Sequence, residues 1–444
     1  MAEESNLKGI MIDINRYTED IFNIKSAEQF FQLALQAFEY QRQNCQVYRE
    51  YLNAIGKTDV SPCSIEQIPF LPIQLFKTNK IVSERKIDGT STQEHCPVGG
   101  GGELQRGGYK TFTSSATTSM IPSCHYVKDL SLYEKSFMRG FEKFYGPLKN
   151  YNLLALLPSY LEREGSSLVY MADKLMAEVK KYGGEGGFYL YNHKELLERL
   201  LRIETAVPTE EEKSAVKAKA NKKAEAKAGA KAESIASVEA KAGAKAETEI
   251  SLAPSAEIDA KNKERSNIKK TILLGVSFAL LDFAKYVTSD ECFAKESVKN
   301  GALKNIIVME TGGMKGRGKE LSRNELHSLL RDSLKTPFIH SEYGMAELLS
   351  QAYCLDGENF VTPPWMNLLV RDLHNPFKMS VQGRGAANII DLANIHSCCF
   401  IETEDLVTIS NTHLKISESQ QLLKFQILGR IAHSELRGCN MLLE

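Results

Sequence analysis

The chain has 444 residues, 43% of them apolar, with 55 basic against 56 acidic side chains and a net charge of −1. That apolar content fills a continuous core, while the balanced charge removes any general pull toward nucleic acid or anionic lipid. No apolar run approaches the roughly 20 residues of a membrane span, and the acidic start Met1-Ala2-Glu3-Glu4-Ser5 lacks a secretory signal, so a cytoplasmic protein is expected.

Length alone would allow about three domains, but one large α/β domain carrying an insertion is expected. Nine cysteines without framework spacing read as reduced thiols rather than a disulfide scaffold. Near the N-terminus Ser26-Ala27-Glu28-Gln29 has the form of a capping box, and Phe31, Leu35 and Phe38 follow at helical spacing. Together they predict one long amphipathic helix over residues 26–53. Between Gly107-Gly108 and Asp129 lies the run Thr113-Ser114-Ser115-Ala116-Thr117-Thr118-Ser119. Its hydroxyls and backbone amides can wrap a polyphosphate, although such a run is also the makeup of an ordinary polar loop. Cys124, just beyond it, is read as structural.

Residues 151–157, 271–276, 305–309 and 366–370 are short apolar runs that predict buried strands of a mostly parallel sheet with flanking helices. Composition changes abruptly after Arg202. Residues 204–265 are mostly Ala, Lys, Glu and Ser, and Ala-Lys-Ala-Gly-Ala-Lys-Ala-Glu at 226–233 recurs at 240–247. Such a segment buries too little surface to offset its ordering entropy and is expected to be a disordered, solvated insertion. Its lysines are interleaved with glutamates, which argues against a nucleic-acid arm.

Gly275-Val276-Ser277-Phe278-Ala279 joins an apolar strand to a helix and approximates the nucleophile elbow of hydrolases, with Ala279 in place of the last glycine. On that reading Ser277 is the nucleophile of a thioesterase or acyltransferase. His340, His374, His396, His413 and His433 all follow in chain order, and position selects none of them as its partner.

Ligands of open α/β sheets bind beyond the carboxyl ends of the strands. The loop Glu310-Thr311-Gly312-Gly313-Met314-Lys315-Gly316 follows one such strand, and Gly312 and Gly313 let backbone approach a flat ring such as adenine; a surface turn has the same composition. Ser322-Arg323-Asn324-Glu325 is a second capping box and predicts a helix to about Leu334. Residues 337–340 then form a strand, and Tyr343-Gly344 turns into a helix carrying Glu347. That carboxylate can hold Mg²⁺ against phosphates, or simply favour a helix start.

Further on, Ile401-Glu402-Thr403-Glu404-Asp405-Leu406 reads as a tight strand connection in which Asp405 can accept two hydrogen bonds from vicinal ribose hydroxyls. Arg430, after Leu428-Gly429, can reach phosphate or ribose with two donors. A turn carboxylate and a surface arginine are the plainer readings. His396-Ser397-Cys398-Cys399 lacks a second ligand pair and is assigned to core packing.

The order of Thr113 to Ser119, Tyr343-Gly344-x-x-Glu347, Thr403-Glu404-Asp405 and Gly429-Arg430 resembles that of the adenylate-forming acyl-activating superfamily. Leu71-Pro72-Ile73-x-x-Phe76-Lys77, Glu342-Tyr343-Gly344-Met345-x-Glu347-Leu348 and Ser434-Glu435-x-Arg437-Gly438-Cys439 resemble, more closely, the acyl-protein synthetases (LuxE) of bacterial luminescence. The resemblance covers nearly the whole chain outside the insertion. It implies the large N-terminal-type domain of those enzymes without the C-terminal lid, split as 1–203, 204–265, 266–428 and a tail at 429–444. It also implies ATP and Mg²⁺ as cofactors, a long-chain fatty acid as substrate, and Cys439 as the acceptor of the acyl group. An acyl reductase or acyl carrier protein would be the partner.

In place of a lid that presents coenzyme A, a tethered thiol would attack an adenylate at high effective concentration. Activation with coenzyme A as an external acceptor is the alternative. Ala116 and Ser119 replace glycines usual in the family's loop, and Ala346 replaces its usual hydroxyl residue. These departures leave open a third reading, a non-catalytic nucleotide-binding protein.

Overall fold

A computed structural model describes residues 12–84, 108–114, 121–158, 165–205, 269–312, 321–410, 414–415 and 421–431. Two compact units divide the chain, one of residues 1–197 with 270–444 and one of residues 198–269. Most of the Ala/Lys/Glu insertion, from residue 206, lies outside the described residues; Glu204 and Thr205 end the helix His193–Thr205. Among the described residues no helix is long and apolar enough to cross a membrane.

The N-terminal helical region departs from one expectation. Ser26 caps the helix Ala27–Asn44 by accepting from Gln29 N, but the Gln29 side chain accepts from Lys25 N, one residue outside the expected box. At Cys45 the backbone becomes extended and bridges to Ser83, and a second helix runs over Gln46–Ala54. The single helix over 26–53 is therefore two. Buried Gln41, whose amide donates to Asn394 O and Ile395 O, draws this junction onto a distant turn, a pull that helical periodicity does not record.

The short strand β1 (Leu71–Pro72) pairs parallel with the later strand β14 (Phe400–Ile409), while β2 (Lys110–Thr113) and β3 (Cys124–Val127) form a separate antiparallel pair that encloses the hydroxyl run in sequence. The first part of the main sheet is parallel: β4 (Tyr151–Leu156), β5 (Gly186–Phe188), β6 (Lys270–Val276), β7 (Ile307–Thr311) and β8 (Ile339–Tyr343), in the order β5-β4-β6-β7-β8. All six residues of β4 are buried, as expected of a strand covered on both faces. Gly275 is the penultimate residue of β6, where a Cβ would lie 2.8 Å from Leu280 Cγ, so its lack of a side chain lets the helix Ser277–Thr288 pack closely.

Beyond β8 the sheet turns antiparallel. It passes through β9 (Ala352–Cys354), β10 (Phe360–Val361), β17 (Lys424–Arg430), β14 (Phe400–Ile409), β13 (Gly383–Asp391), β11 (Met366–Arg371) and β12 (Met379–Ser380). A further pair, β15 (Leu414–Lys415) with β16 (Gln421–Leu422), stands apart. Three of the four apolar runs thus lie in the parallel region, whereas Met366–Arg371 is antiparallel on both sides. The capping box at Ser322 is complete, with both reciprocal bonds to Glu325, and starts the helix Arg323–Leu334.

Candidate functional site

Tyr343, Asp405 and Arg430 come together from three distant segments at the carboxyl end of β8. The Tyr343 hydroxyl donates to Asp405 Oδ2 at 2.8 Å. Asp405 faces Arg430 across β14 and β17, with Arg430 Nε 3.3 Å from Asp405 Oδ1, and the same guanidinium also donates to Glu404 Oε2. Gln74, following β1, donates to the other oxygen of Glu404. Asp405 is not in a tight connection, as its sequence surroundings suggested, but within the ten-residue strand β14. A bulge between Leu406 and Val407, opposite Gly429 at φ 140°, shifts the register beside this pair.

One strand over, β7 and β8 bring a second polar group together. Thr311 faces Glu342, and its hydroxyl donates to Glu342 Oε2. Burial pushes the Glu342 carboxyl up to about 7; the Thr311 bond opposes this and neighbouring Glu310 reinforces it. Gly344 has no room for a Cβ, which would lie 2.5 Å from Glu342 Oε1. Gly312 follows β7 at φ 70°, a left-handed conformation suited to glycine, and its carbonyl accepts from Ser277 Oγ. Gly313 lies outside the described residues.

Glu347 stands on a turn, not on the expected helix, and is 1% exposed. Side chains from elsewhere hold that turn. His125 of β3 donates through Nδ1 to Ala346 O at 2.8 Å, and Asn394 Nδ2 donates to Glu347 O at 2.8 Å. Buried Asp391 accepts from Leu349 N, Ser350 N, Ser350 Oγ and Ala393 N. Behind it Trp365 Nε1 donates to Ser136 Oγ, which bonds Ser350 Oγ, so the donors run in one direction from indole to carboxylate. Burial pushes the His125 imidazole down to about 4, so the ring is neutral. His125, Asn394 and Asp391, rather than helical hydrogen bonds, fix where Glu347 sits.

Among the described residues no three His, Cys, Asp or Glu side chains form a metal cage. Magnesium bound with a nucleotide needs only one or two carboxylates, the rest of its shell being phosphate oxygen and water, so Glu347 fits that donor set.

At the neck of the hydroxyl run, Thr113 N bonds Gly165 O, while Ser114 N bonds Ser123 O and Ser114 Oγ accepts from Ser123 N. Ser115, Thr117 and Thr118 lie outside the described residues, as does Cys439. Cys124 is disulfide-bonded, a departure from the expectation of reduced thiols throughout. Cys45, Cys398 and Cys399 are fully buried with thiols pushed upward by burial, Cys45 to about 11, which keeps them protonated and unreactive.

The hydrolase reading of Ser277 finds no support in its surroundings. Its hydroxyl donates to Gly312 O and faces Glu310 Oε2 at 3.4 Å, while His327 lies on the other oxygen of Glu310 at 3.6 Å. A triad places the imidazole between hydroxyl and carboxylate, and here the carboxylate is in the middle.

Sequence reasoning missed Glu342, His125, Asp391 and Asn394. Only Glu342, adjacent to Tyr343, had a local signal; the others are single polar residues in apolar surroundings.

No protein-family model matches the sequence, and no curated protein matches it. Among solved structures, the open conformation of 2-hydroxyisobutyryl-CoA ligase in complex with 2-HIB-AMP and CoA is similar with a TM-score of 0.51 and 11% identity, over 92% of this chain and 76% of that one. The chain has the fold of the adenylate-forming ligases. The same ligase in its thioesterification state gives a TM-score of 0.50 at 11% identity, over 95% of this chain and 70% of that one. ATP-bound MatB from Rhodopseudomonas palustris, at 12% identity and a TM-score of 0.39, covers 74% of this chain and 49% of its own, too distant a likeness to carry an argument.

Proposed function

We propose that this protein is a Mg·ATP-dependent acyl-protein synthetase that activates a long-chain fatty acid and receives the acyl group on Cys439. The observation that carries this reading is the convergence of Tyr343, Asp405 and Arg430 at the end of a parallel strand, in a fold shared with adenylate-forming ligases. Asp405 and Arg430 take the ribose, Tyr343 and the Gly312-Gly313 backbone flank adenine, and Thr113, Ser114, Ser115, Thr117 and Thr118 wrap the phosphates. Glu347 holds Mg²⁺, which when bound offsets phosphate charge.

A carboxylate oxygen of the acid attacks the α-phosphorus, and the bond to the β-phosphate breaks to release pyrophosphate. The Cys439 thiolate then attacks the acyl carbon; a thioester forms as the bond to the AMP oxygen breaks. The thioester would pass to an acyl reductase or carrier protein. Coenzyme A is the alternative acceptor, as the names of the similar ligases suggest.

The test is intact-protein mass spectrometry after incubation with Mg·ATP and mixed fatty acids, comparing wild type with Cys439→Ala. A hydroxylamine-labile acyl mass seen only with ATP and only in wild type is the expected result. AMP release without an adduct moves the acceptor to coenzyme A or another protein, and neither product with any acid would refute the reading.

A further inference from the structure

The hydroxyl run and the Glu347 turn are far apart in sequence, yet one side chain links their supports. His125 lies in β3, the strand that leaves the hydroxyl run, where it faces Phe112 of β2 one pair beyond Thr113 and Cys124. Its ring is 1% exposed and packs edge-on against Phe76 at 6.0 Å. A carbonyl oxygen only accepts, so the 2.8 Å contact with Ala346 O requires the hydrogen on Nδ1. The next carbonyl, that of Glu347, is held by Asn394 Nδ2. Successive peptide groups of the turn are therefore gripped by side chains 221 and 47 residues away in sequence.

We propose that His125 is a positioning residue: through its Nδ1–H bond to Ala346 O it ties the Glu347 turn to the strand leaving the phosphate-wrapping run, and so presents the Glu347 carboxylate to metal-bound ATP. The inference rests on the nucleotide-binding reading above. It assigns His125 no contact with substrate and no proton transfer. Side-chain supports of this kind, behind a metal-binding carboxylate, typically change metal affinity about 10- to 100-fold when removed.

Two isosteres separate the roles of the ring nitrogens. The amide of His125→Asn overlays Nδ1 and keeps a donor toward Ala346 O, whereas that of His125→Gln overlays Nε2 and loses it. Binding of α,β-methylene ATP, which cannot be adenylated, is measured by calorimetry with Mg²⁺ and with EDTA, together with thermal unfolding. The Leu348 amide, bonded to Met345 O within the turn, is followed by hydrogen exchange in the metal-free protein.

In wild type, Mg²⁺ should strengthen binding. His125→Asn should keep that gain within about threefold, and His125→Gln should lose at least about tenfold of it with faster Leu348 exchange and unchanged binding in EDTA. A folded His125→Gln that keeps the full magnesium gain overturns the proposal, as does a loss equal with and without metal, which marks a merely structural residue. Should His125→Gln fail to fold, His125→Asn still decides, because loss of its magnesium gain is incompatible with the retained donor. A wild-type protein that binds no nucleotide under either condition overturns the functional reading itself, an outcome distinct from failure of the His125 assignment.

Discussion

The Tyr343 phenol donates to Asp405 Oδ2 at 2.8 Å, joining the end of the parallel region to a strand 62 residues later in the antiparallel region. Because Arg430 Nε lies on the other Asp405 oxygen, the carboxylate is oriented from both sides.

Tyr343→Phe should therefore leave the Asp405–Arg430 pair in place and lower stability by about 1 kcal/mol, the usual net contribution of one hydrogen bond. Asp405→Ala should do more, since it removes a carboxylate from beside a guanidinium that is only 7% exposed. We expect ATP–pyrophosphate exchange to fall at least about 100-fold in Asp405→Ala and less than about tenfold in Tyr343→Phe; equal losses would contradict the assigned roles.

The buried Glu342 carboxyl gives stability a definite pH sign. In the unfolded chain it ionises near 4.5, while in the folded protein burial holds the proton to about 7. Its contribution is complete below the unfolded value and is lost as pH rises through about 7. Glu342→Gln, which stays neutral, should match wild type near pH 4 and become relatively more stable above pH 7, by up to about 3 kcal/mol. Urea unfolding of both proteins across pH 4 to 8 measures the difference, and a gap that shrinks with rising pH would contradict the assignment.

Asp391 accepts four hydrogen bonds in a site with no access to water, three of them from residues just after the Glu347 turn or its side chains. Asp391→Ala strands those donors and should cost at least about 3 kcal/mol, with a matching drop in the thermal midpoint. A loss below 1 kcal/mol would mean that the turn is held without it.

Gly344→Ala introduces a Cβ 2.5 Å from Glu342 Oε1, whose carboxylate is tied to Thr311. Either that bond breaks or the turn shifts, and in both cases kcat/KM of the activation half-reaction should fall at least about tenfold while Glu342→Ala/Gly344→Ala recovers part of the loss. No recovery in the double variant would place the clash elsewhere.

Local chemistry was readable wherever neighbours in sequence are also neighbours in space. The run of β4, buried throughout, and the Ser322–Glu325 box are of that kind, since hydrogen-bond reach and side-chain period act over a few residues. Tertiary pairing decided the rest. Cys45 breaks a helix through a bridge to Ser83, Asp405 lies within a strand because β13 and β17 flank it, and Glu347 sits on a turn held by His125, Asn394 and Asp391. Each depends on partners distant in sequence, 38 residues from Cys45 to Ser83 and 25 from Asp405 to Arg430, and burial of a lone polar residue leaves no periodic trace in the chain that carries it.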